Sequence, residues 1–192
     1  MKKANSICIL VGIIFIFSIS CASNTKRSSQ GKDAIMFGML YDHENNPVKG
    51  VSVSIDGNHM GESDVLGRFT LVDLRPGEYT LTLEKAGYER IEDSFVFDPL
   101  SMLYYRMITA SQLIIEAERA LAGFDYPAAR EMLDRALQLE PFRYDAVYLQ
   151  AIAYYCEKNY ENAIKMLDRL RELGYTSIYA EKLKHEIVDR MK

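Results

Sequence analysis

Three histidines and three cysteines are the side chains of this chain best suited to catalysis or metal binding. His43, His59 and His185 are scattered, and no two have the spacing of metal ligands on one helix. Residues 42–44, Asp-His-Glu, fall in a predicted turn, where a loop role is favoured over a metal or acid–base role. Cys156 has no neighbouring histidine, and we expect it to be a small core side chain rather than a reactive thiol. With no phosphate-binding glycine loop and no nucleophile elbow, the sequence predicts no enzyme, no cofactor and no metal site.

Cys21 follows a short basic start and an apolar run over residues 7–19, which is too short to span a bilayer comfortably. Residues 18–21, Ser-Ile-Ser-Cys, resemble the lipobox of bacterial lipoproteins, although Ser18 departs from the usual leucine. The resemblance implies a signal peptide over residues 1–20 and a lipid-modified Cys21, whose several acyl chains would hold the protein on a membrane. The alternatives are an uncleaved anchor or ordinary cleavage after Ala22.

Residues 21–33 are polar and predict a tether between the anchor and the first folded domain. The expected location is the bacterial cell envelope, periplasmic or surface-exposed, on the inner or the outer membrane. Removing Lys2 and Lys3 leaves 21 basic and 27 acidic residues, a formal charge of −6. A mildly acidic chain without a basic run predicts no binding of nucleic acid.

The C-terminal part repeats with an offset of 34 residues. The offset places Tyr126–Leu139 on Tyr160–Leu173, and Ala117 on Ala151. This period resembles the tetratricopeptide repeat, a helix–turn–helix unit that usually binds proteins. Thr109 and Gln112 have the spacing of a capping box at the start of the first helix. Residues 109–192 are therefore expected to form two tetratricopeptide-like units and a capping helix.

Small residues are expected where the paired helices approach closely, at Ala117, Ala129, Ala151 and Ala163. In the fifth helix, the apolar residues expected to cover the second unit are Ile178, Leu183 and Ile187, with Lys182, Lys184 and His185 pointing outward. Two units are few for a continuous core, so the β domain or a second copy is expected to shield the first unit. A homo-oligomer is thus one possible state.

Residues 34–108 change to a period of two, with turn residues between short runs, as in an antiparallel β-sandwich of about seven strands. The fold class is therefore α+β with two domains. The run from Ser63 to Tyr88 resembles the carboxypeptidase regulatory-like domain, a prealbumin-like sandwich that is a non-catalytic accessory in metallocarboxypeptidases. Asp64 is expected to bond its own loop, and Gly67 and Gly77 to occupy turns with positive φ.

A binding surface is the function that this architecture favours. In the repeat family, ligands usually lie in the groove lined by the first helix of each unit. The positions that the resemblance implies are Ser111, Ile114, Glu118 and Leu121 in the first unit, and Asp145, Tyr148, Ile152 and Tyr155 in the second. Tyrosines suit recognition because they bury a large area at little entropic cost.

The sequence thus predicts a non-catalytic, membrane-anchored envelope lipoprotein that acts as a protein- or peptide-binding scaffold or assembly factor. Two alternatives stay open. The groove could instead be packed on the β domain or on the last helix. A carbohydrate-binding or surface-adhesion module would use the sandwich, with its aromatic residues Tyr41, Tyr88, Tyr104 and Tyr105.

Overall fold

The computed structural model describes residues 34–192, so Cys21 and the predicted signal peptide and tether lie outside the described residues. Residues 33–192 form one unit, apart from residues 1–32. The strands are β1 (Ala34–Tyr41), β2 (Ser52–Ile55), β3 (Asn58–Glu62), β4 (Arg68–Leu74), β5 (Glu78–Glu84), β6 (Ile91–Val96) and β7 (Met102–Arg106). The helices are α1 (Ala110–Ala122), α2 (Tyr126–Leu139), α3 (Tyr144–Cys156), α4 (Tyr160–Glu172) and α5 (Ile178–Arg190). The predicted α+β order, strands first and helices second, is confirmed. No helix within residues 34–192 combines the length and hydropathy that a bilayer crossing needs.

The strands form two sheets, one in the order β4-β1-β7 and the other in the order β3-β2-β5-β6. Neighbouring strands are antiparallel in every pair except β1 and β7, which run parallel. The expectation of a wholly antiparallel sandwich missed this pair. Parallel neighbours need a long connection, and here the whole second sheet lies between β1 and β7 in the chain.

The sandwich core follows the period of two, with Leu40, Phe69, Leu71 and Leu81 buried. Gly38 has a packing role, because a Cβ built there would lie 2.0 Å from Cζ of Phe69. The ring of Phe69 fills the space that a side chain at position 38 would need.

The two glycines singled out in the sequence behave differently. Gly67 has a φ of +71°, and a Cβ there would lie 2.3 Å from the carbonyl oxygen of Leu40. Gly77 does not adopt a positive φ, so that prediction was wrong. Asp64 bonds its own loop as expected, because Oδ1 accepts from the backbone N–H groups of Leu66 (2.8 Å) and Arg68 (2.9 Å).

The helical half begins at the predicted capping box. The hydroxyl of Thr109 accepts from the N–H of Gln112, and the Gln112 side chain accepts from the N–H of Thr109. The four alanines expected at close helix contacts are fully buried, at Ala117, Ala129, Ala151 and Ala163. Only three residues separate the end of β7 from the start of α1.

Cys156 and Ile178 lie elsewhere than predicted. Cys156 is exposed, because it is the last residue of α3, where the helix has passed the core. Ile178 is 74% exposed at the first position of α5, whereas the other two predicted residues cover the core, since Ile187 is buried and Leu183 packs against the core.

A polar contact between consecutive units repeats with the sequence period. Gln150 of α3 donates to Asp134 of α2, and Lys184 of α5 donates to Asp168 of α4. Gln150 and Lys184 are 34 residues apart, and so are Asp134 and Asp168, so the two contacts join equivalent positions of the repeat. Lys184 therefore faces α4, and the expectation that it points outward was wrong.

The β domain meets the first unit at these same equivalent positions. Glu116, which is equivalent to Gln150, lies 3.3 Å from His43 in the loop after β1. Glu89 accepts two hydrogen bonds from Arg135 of α2. Positions of α1 and α2 thus contact the β domain, just as the equivalent positions of the second unit contact the first unit. This intramolecular contact is one of the two ways in which the first unit was expected to be shielded.

Candidate partner-binding groove

The first helices of the two units, α1 and α3, lie side by side and carry the eight predicted groove positions. Ser111 and Glu118 are exposed, whereas Ile114 is only 6% exposed. Ile114 belongs to the helical core and is withdrawn from the groove surface. The other five positions are half-buried, at Leu121, Asp145, Tyr148, Ile152 and Tyr155.

Arg143, just before α3, joins the polar positions at one end of the groove. Its Nη1 donates to Oγ of Ser111 (3.0 Å), and its Nε and Nη2 donate to the Asp145 carboxylate at 2.9 Å and 2.7 Å. The hydrogen bonds from Arg143 hold the pKa of Asp145 below its usual range. Asp145 is therefore charged but already paired. A partner would meet the Arg143–Asp145 pair rather than a free carboxylate.

Tyr155 marks the other end of the groove and reaches to α5. Its hydroxyl donates to Oε1 of Glu186 (2.6 Å), and this hydrogen bond raises the pKa of Tyr155. The guanidinium of Arg190 lies 5.6 Å from the centre of the Tyr155 ring and also pairs with Glu186 at 2.9 Å. Tyr155 is thus partly engaged by the last helix, which was one of the open alternatives for this groove.

The fifth helix supplies a third row of groove positions that the sequence reasoning missed. Adding the 34-residue offset to the α3 positions gives Tyr179, Lys182, Glu186 and Asp189. The Tyr155–Glu186 hydrogen bond shows that α5 borders the same side of the array as α3. A cleft of about 1070 Å³ lies along α5, with Lys182, Glu186 and Asp189 among its lining residues, but within residues 34–192 no residue of α1 or α3 lines it. Applying the period once more to the sequence would have found these residues.

The groove combines tyrosine faces with charges of both signs. Tyr148 is half-buried against the helical core, and Tyr179 is 73% exposed. Within residues 34–192, Glu118 and Lys182 have no ion-pair partner, so both charges are available to a ligand. No cluster of three or more potential metal ligands occurs in the same part of the chain. The tyrosine rings and the charges of both signs suit a peptide that carries both apolar and charged side chains.

The four tyrosines considered for carbohydrate binding are dispersed over the β domain. The hydroxyl of Tyr105 donates to Asp93 (2.8 Å), and burial together with this hydrogen bond raises the pKa of Tyr105. Tyr88 lies under the ammonium group of Lys85. Tyr41 and Tyr104 stack on each other, with ring centroids 5.2 Å apart. Tyr105 and Tyr88 thus have packing roles, whereas Tyr41 and Tyr104 share an outer surface.

Comparisons with known proteins match both halves of the chain. Residues 120–187 match the family model of the tetratricopeptide repeat, which confirms that resemblance. Residues 46–101 match the model of the PEGA domain. The resemblance of the sandwich to the carboxypeptidase regulatory-like domain stays a prediction. The repeats make the chain similar to protein-interaction scaffolds.

The similar solved structures share little with this chain. The Bacillus anthracis TIE protein is 15% identical with a TM-score of 0.35, over 40% of this chain and 16% of that one. The 3-chlorocatechol 1,2-dioxygenase of Rhodococcus opacus 1CP is 13% identical with a TM-score of 0.31, over 39% of this chain and 59% of that one. The chain thus covers less than two thirds of the length of either. No curated protein matches it.

Proposed function

We propose that this protein is a non-catalytic envelope lipoprotein that holds a protein or peptide partner in the groove of α1, α3 and α5. The observation that carries the proposal is the presence of Tyr148, Tyr155 and Tyr179 at groove positions of α3 and α5, the first helices of tetratricopeptide-like units. These side chains present broad apolar faces with polar tips and lose little conformational entropy on binding.

The charges of the groove support a peptide ligand with mixed side chains. Glu118 is free to pair with a basic side chain, and Lys182 with an acidic side chain or a terminal carboxylate. At the other end, Arg143 is paired with both Asp145 and Glu140.

The membrane anchor is the second part of the proposal. It rests on the lipobox-like residues 18–21, with Cys21 as the acylated residue. PEGA domains are often extracellular or periplasmic, which supports an envelope location. A scaffold held there by lipid chains would keep its partner at the membrane, as an assembly factor does.

Photo-cross-linking in intact cells tests the groove. A photoreactive residue at position 118 or 182 should capture the same partner, and one at the exposed loop position of Phe142 should not. The change Y148A/Y155A should abolish capture, while Phe142→Ala should leave it intact. Circular dichroism of both variants checks that the helices persist. Capture that survives Y148A/Y155A in a folded protein would exclude this groove.

Two further measurements separate the parts of the proposal. Cys21→Ala should end the incorporation of labelled fatty acid, and continued labelling would exclude Cys21 as the acceptor. Glycan binding that Y148A/Y155A leaves unchanged would favour the alternative, a carbohydrate-binding or adhesion module based on the sandwich.

A further inference from the structure

The outward side of the β4-β1-β7 sheet is largely apolar, with the exposed Thr70 opposite Phe37 as a polar member. We name it the outer apolar face, and its members are exposed by 41–59%: Ile35, Phe37, Val72, Met102 and Tyr104. The other sheet of the same sandwich has a polar outward side with Ser52, Ser54, Thr80 and Thr82. A solvated sheet face normally carries polar residues, as this second face does. The contrast within one domain indicates that the outer apolar face has a partner.

Strand register gathers these side chains into one patch. Phe37 of β1 is directly opposite Met102 of β7, and Met39 is opposite Tyr104. The ring of Tyr41 stacks on Tyr104 and extends the patch toward the end of β1. Val72 stands beside the irregular pairing of β4 with the start of β1. The patch therefore spans all three strands and begins at the first strand after the tether.

Two arginines border the patch, and one of them, Arg68, is paired with the Asp64 carboxylate at 2.8 Å. Arg68 is opposite Met39 on β4, and Arg106 is opposite Tyr41 on β7, so both share the outward side of the sheet. Arg106 donates to the Asn45 side chain (2.9 Å) and has no ion-pair partner within residues 34–192. Aromatic and aliphatic side chains beside Arg106 suit the interface of an anionic lipid bilayer.

The sequence before β1 also favours an anionic membrane as the partner. Residues 22–33 separate Cys21 from β1 and contain Lys26, Arg27 and Lys32 against one acidic residue. Fully extended, this segment reaches at most about 45 Å. A chain anchored at Cys21 would thus hold the outer apolar face close to the membrane surface.

We infer that the outer apolar face lies on the surface of an anionic membrane, as a second contact beside the lipid anchor. This inference rests on the proposed anchoring of the chain. The aromatic and aliphatic side chains enter the headgroup region, and Arg106 pairs with a lipid phosphate. The contact would fix the orientation of the β domain, and through the short α1 connection that of the groove.

Vesicle flotation of an anchor-free chain that starts at Ala22 tests the inference without acyl chains. Both apolar cores lie within residues 34–192, and residues 33–192 form a unit of their own, so this chain keeps its folded part. It should float with vesicles of phosphatidylethanolamine and phosphatidylglycerol and should not float with phosphatidylcholine. High salt should weaken flotation because it screens Arg106 and the basic residues of the segment 22–33.

The variant F37S/M102S/Y104S should lower vesicle binding by about tenfold or more. F142S/I178S removes side chains of comparable exposure from the helical half and should bind as the parent does. Equal flotation of parent and F37S/M102S/Y104S would overturn the inference. So would a dimer in sedimentation velocity that F37S/M102S/Y104S dissociates, because a second copy would then cover this face. Fatty-acid labelling at Cys21 tests the proposed anchor separately.

Discussion

Arg135 of α2 donates two parallel hydrogen bonds to the carboxylate of Glu89, from Nε to Oε1 at 2.8 Å and from Nη2 to Oε2 at 2.6 Å. Its equivalent 34 residues later, Arg169 of α4, donates to the carbonyl oxygen of Pro141 in the preceding unit (3.3 Å). The arginine of each unit thus contacts whatever precedes that unit in the chain. For the first unit this is the β domain, which stands where another repeat would stand.

Replacing Glu89 by glutamine should lower the free energy of unfolding by roughly 1 kcal/mol or less, because both partners are partly exposed. Urea titration of Glu89→Gln, Arg135→Gln and the double variant isolates the coupling between the two side chains. The matched control is Glu92→Gln, whose pairing with Arg90 is more exposed and should contribute almost nothing. Equal effects of the two changes would show that the Glu89 pair does not stabilise the domain contact.

The same pair predicts a dependence of stability on pH. The hydrogen bonds from Arg135 hold the pKa of Glu89 below its ordinary value of 4.5. The stabilisation is therefore fully present above pH 4.5 and is lost as the pH falls through the lower pKa of the folded state. The difference in unfolding free energy between the parent and Glu89→Gln should shrink in acid. A difference that is constant with pH would exclude ionisation of Glu89 as its source.

Ala151 lies fully buried where α3 meets its neighbours. Ala151→Leu should destabilise the protein by about 1–3 kcal/mol, because the larger side chain forces the helices apart. Ala122→Leu places the same side chain at an exposed position of α1 and should change stability by less than about 0.5 kcal/mol. Thermal unfolding followed by circular dichroism compares the two variants. Equal stability of both would mean that the helices at Ala151 are not closely packed.

Gly38→Ala should be strongly destabilising, by about 1–3 kcal/mol, because its methyl group would overlap the ring of Phe69. Gly77→Ala meets nothing closer than 3.9 Å and should be tolerated. The double variant Gly38→Ala/Phe69→Leu should recover part of the loss if the clash with the ring is the cause. Urea unfolding of the four proteins decides between a clash and a general need for glycine in β1.

Much of the fold could be predicted from local patterns. The capping box at Thr109 and the alanines at positions 117, 129, 151 and 163 follow from short-range spacing, and the structure confirms them. The parallel pairing of β1 with β7 could not be predicted, because it joins strands that are distant in sequence. The requirement for glycine at position 38 likewise has no local signature, since the ring that excludes a side chain there belongs to Phe69 on another strand.

The groove was predicted less completely than the fold. The resemblance supplied positions on α1 and α3, but not the burial of Ile114 or the hydrogen bond between Tyr155 and Glu186. The exposure of Cys156 was also not predicted, because whether a residue at a helix end contacts the core depends on how far the neighbouring helix extends. These properties depend on the packing of whole helices, which the spacing of residues alone does not determine.

The outward face of α5 is polar at positions that are apolar in the inner units. Leu113 and Val147 are buried in the first and second units, and the equivalent residue of α5 is Glu181. Ala117 and Ala151 are equivalent to His185, whose side chain is 81% exposed. Polar residues at these positions disfavour the packing of another helix, as the capping elements of repeat proteins do.

The variant E181L/H185A restores the apolar pattern of the inner units and should make the chain self-associate with increasing concentration. Sedimentation velocity measures this against the parent protein. E181Q/H185Q removes the same charges but keeps the face polar, and it should sediment as the parent does. Because burying apolar side chains between two copies of α5 drives the association, high salt should not reverse it. If E181L/H185A also sediments as the parent does, the polar residues of α5 are not what prevents another helix from packing there.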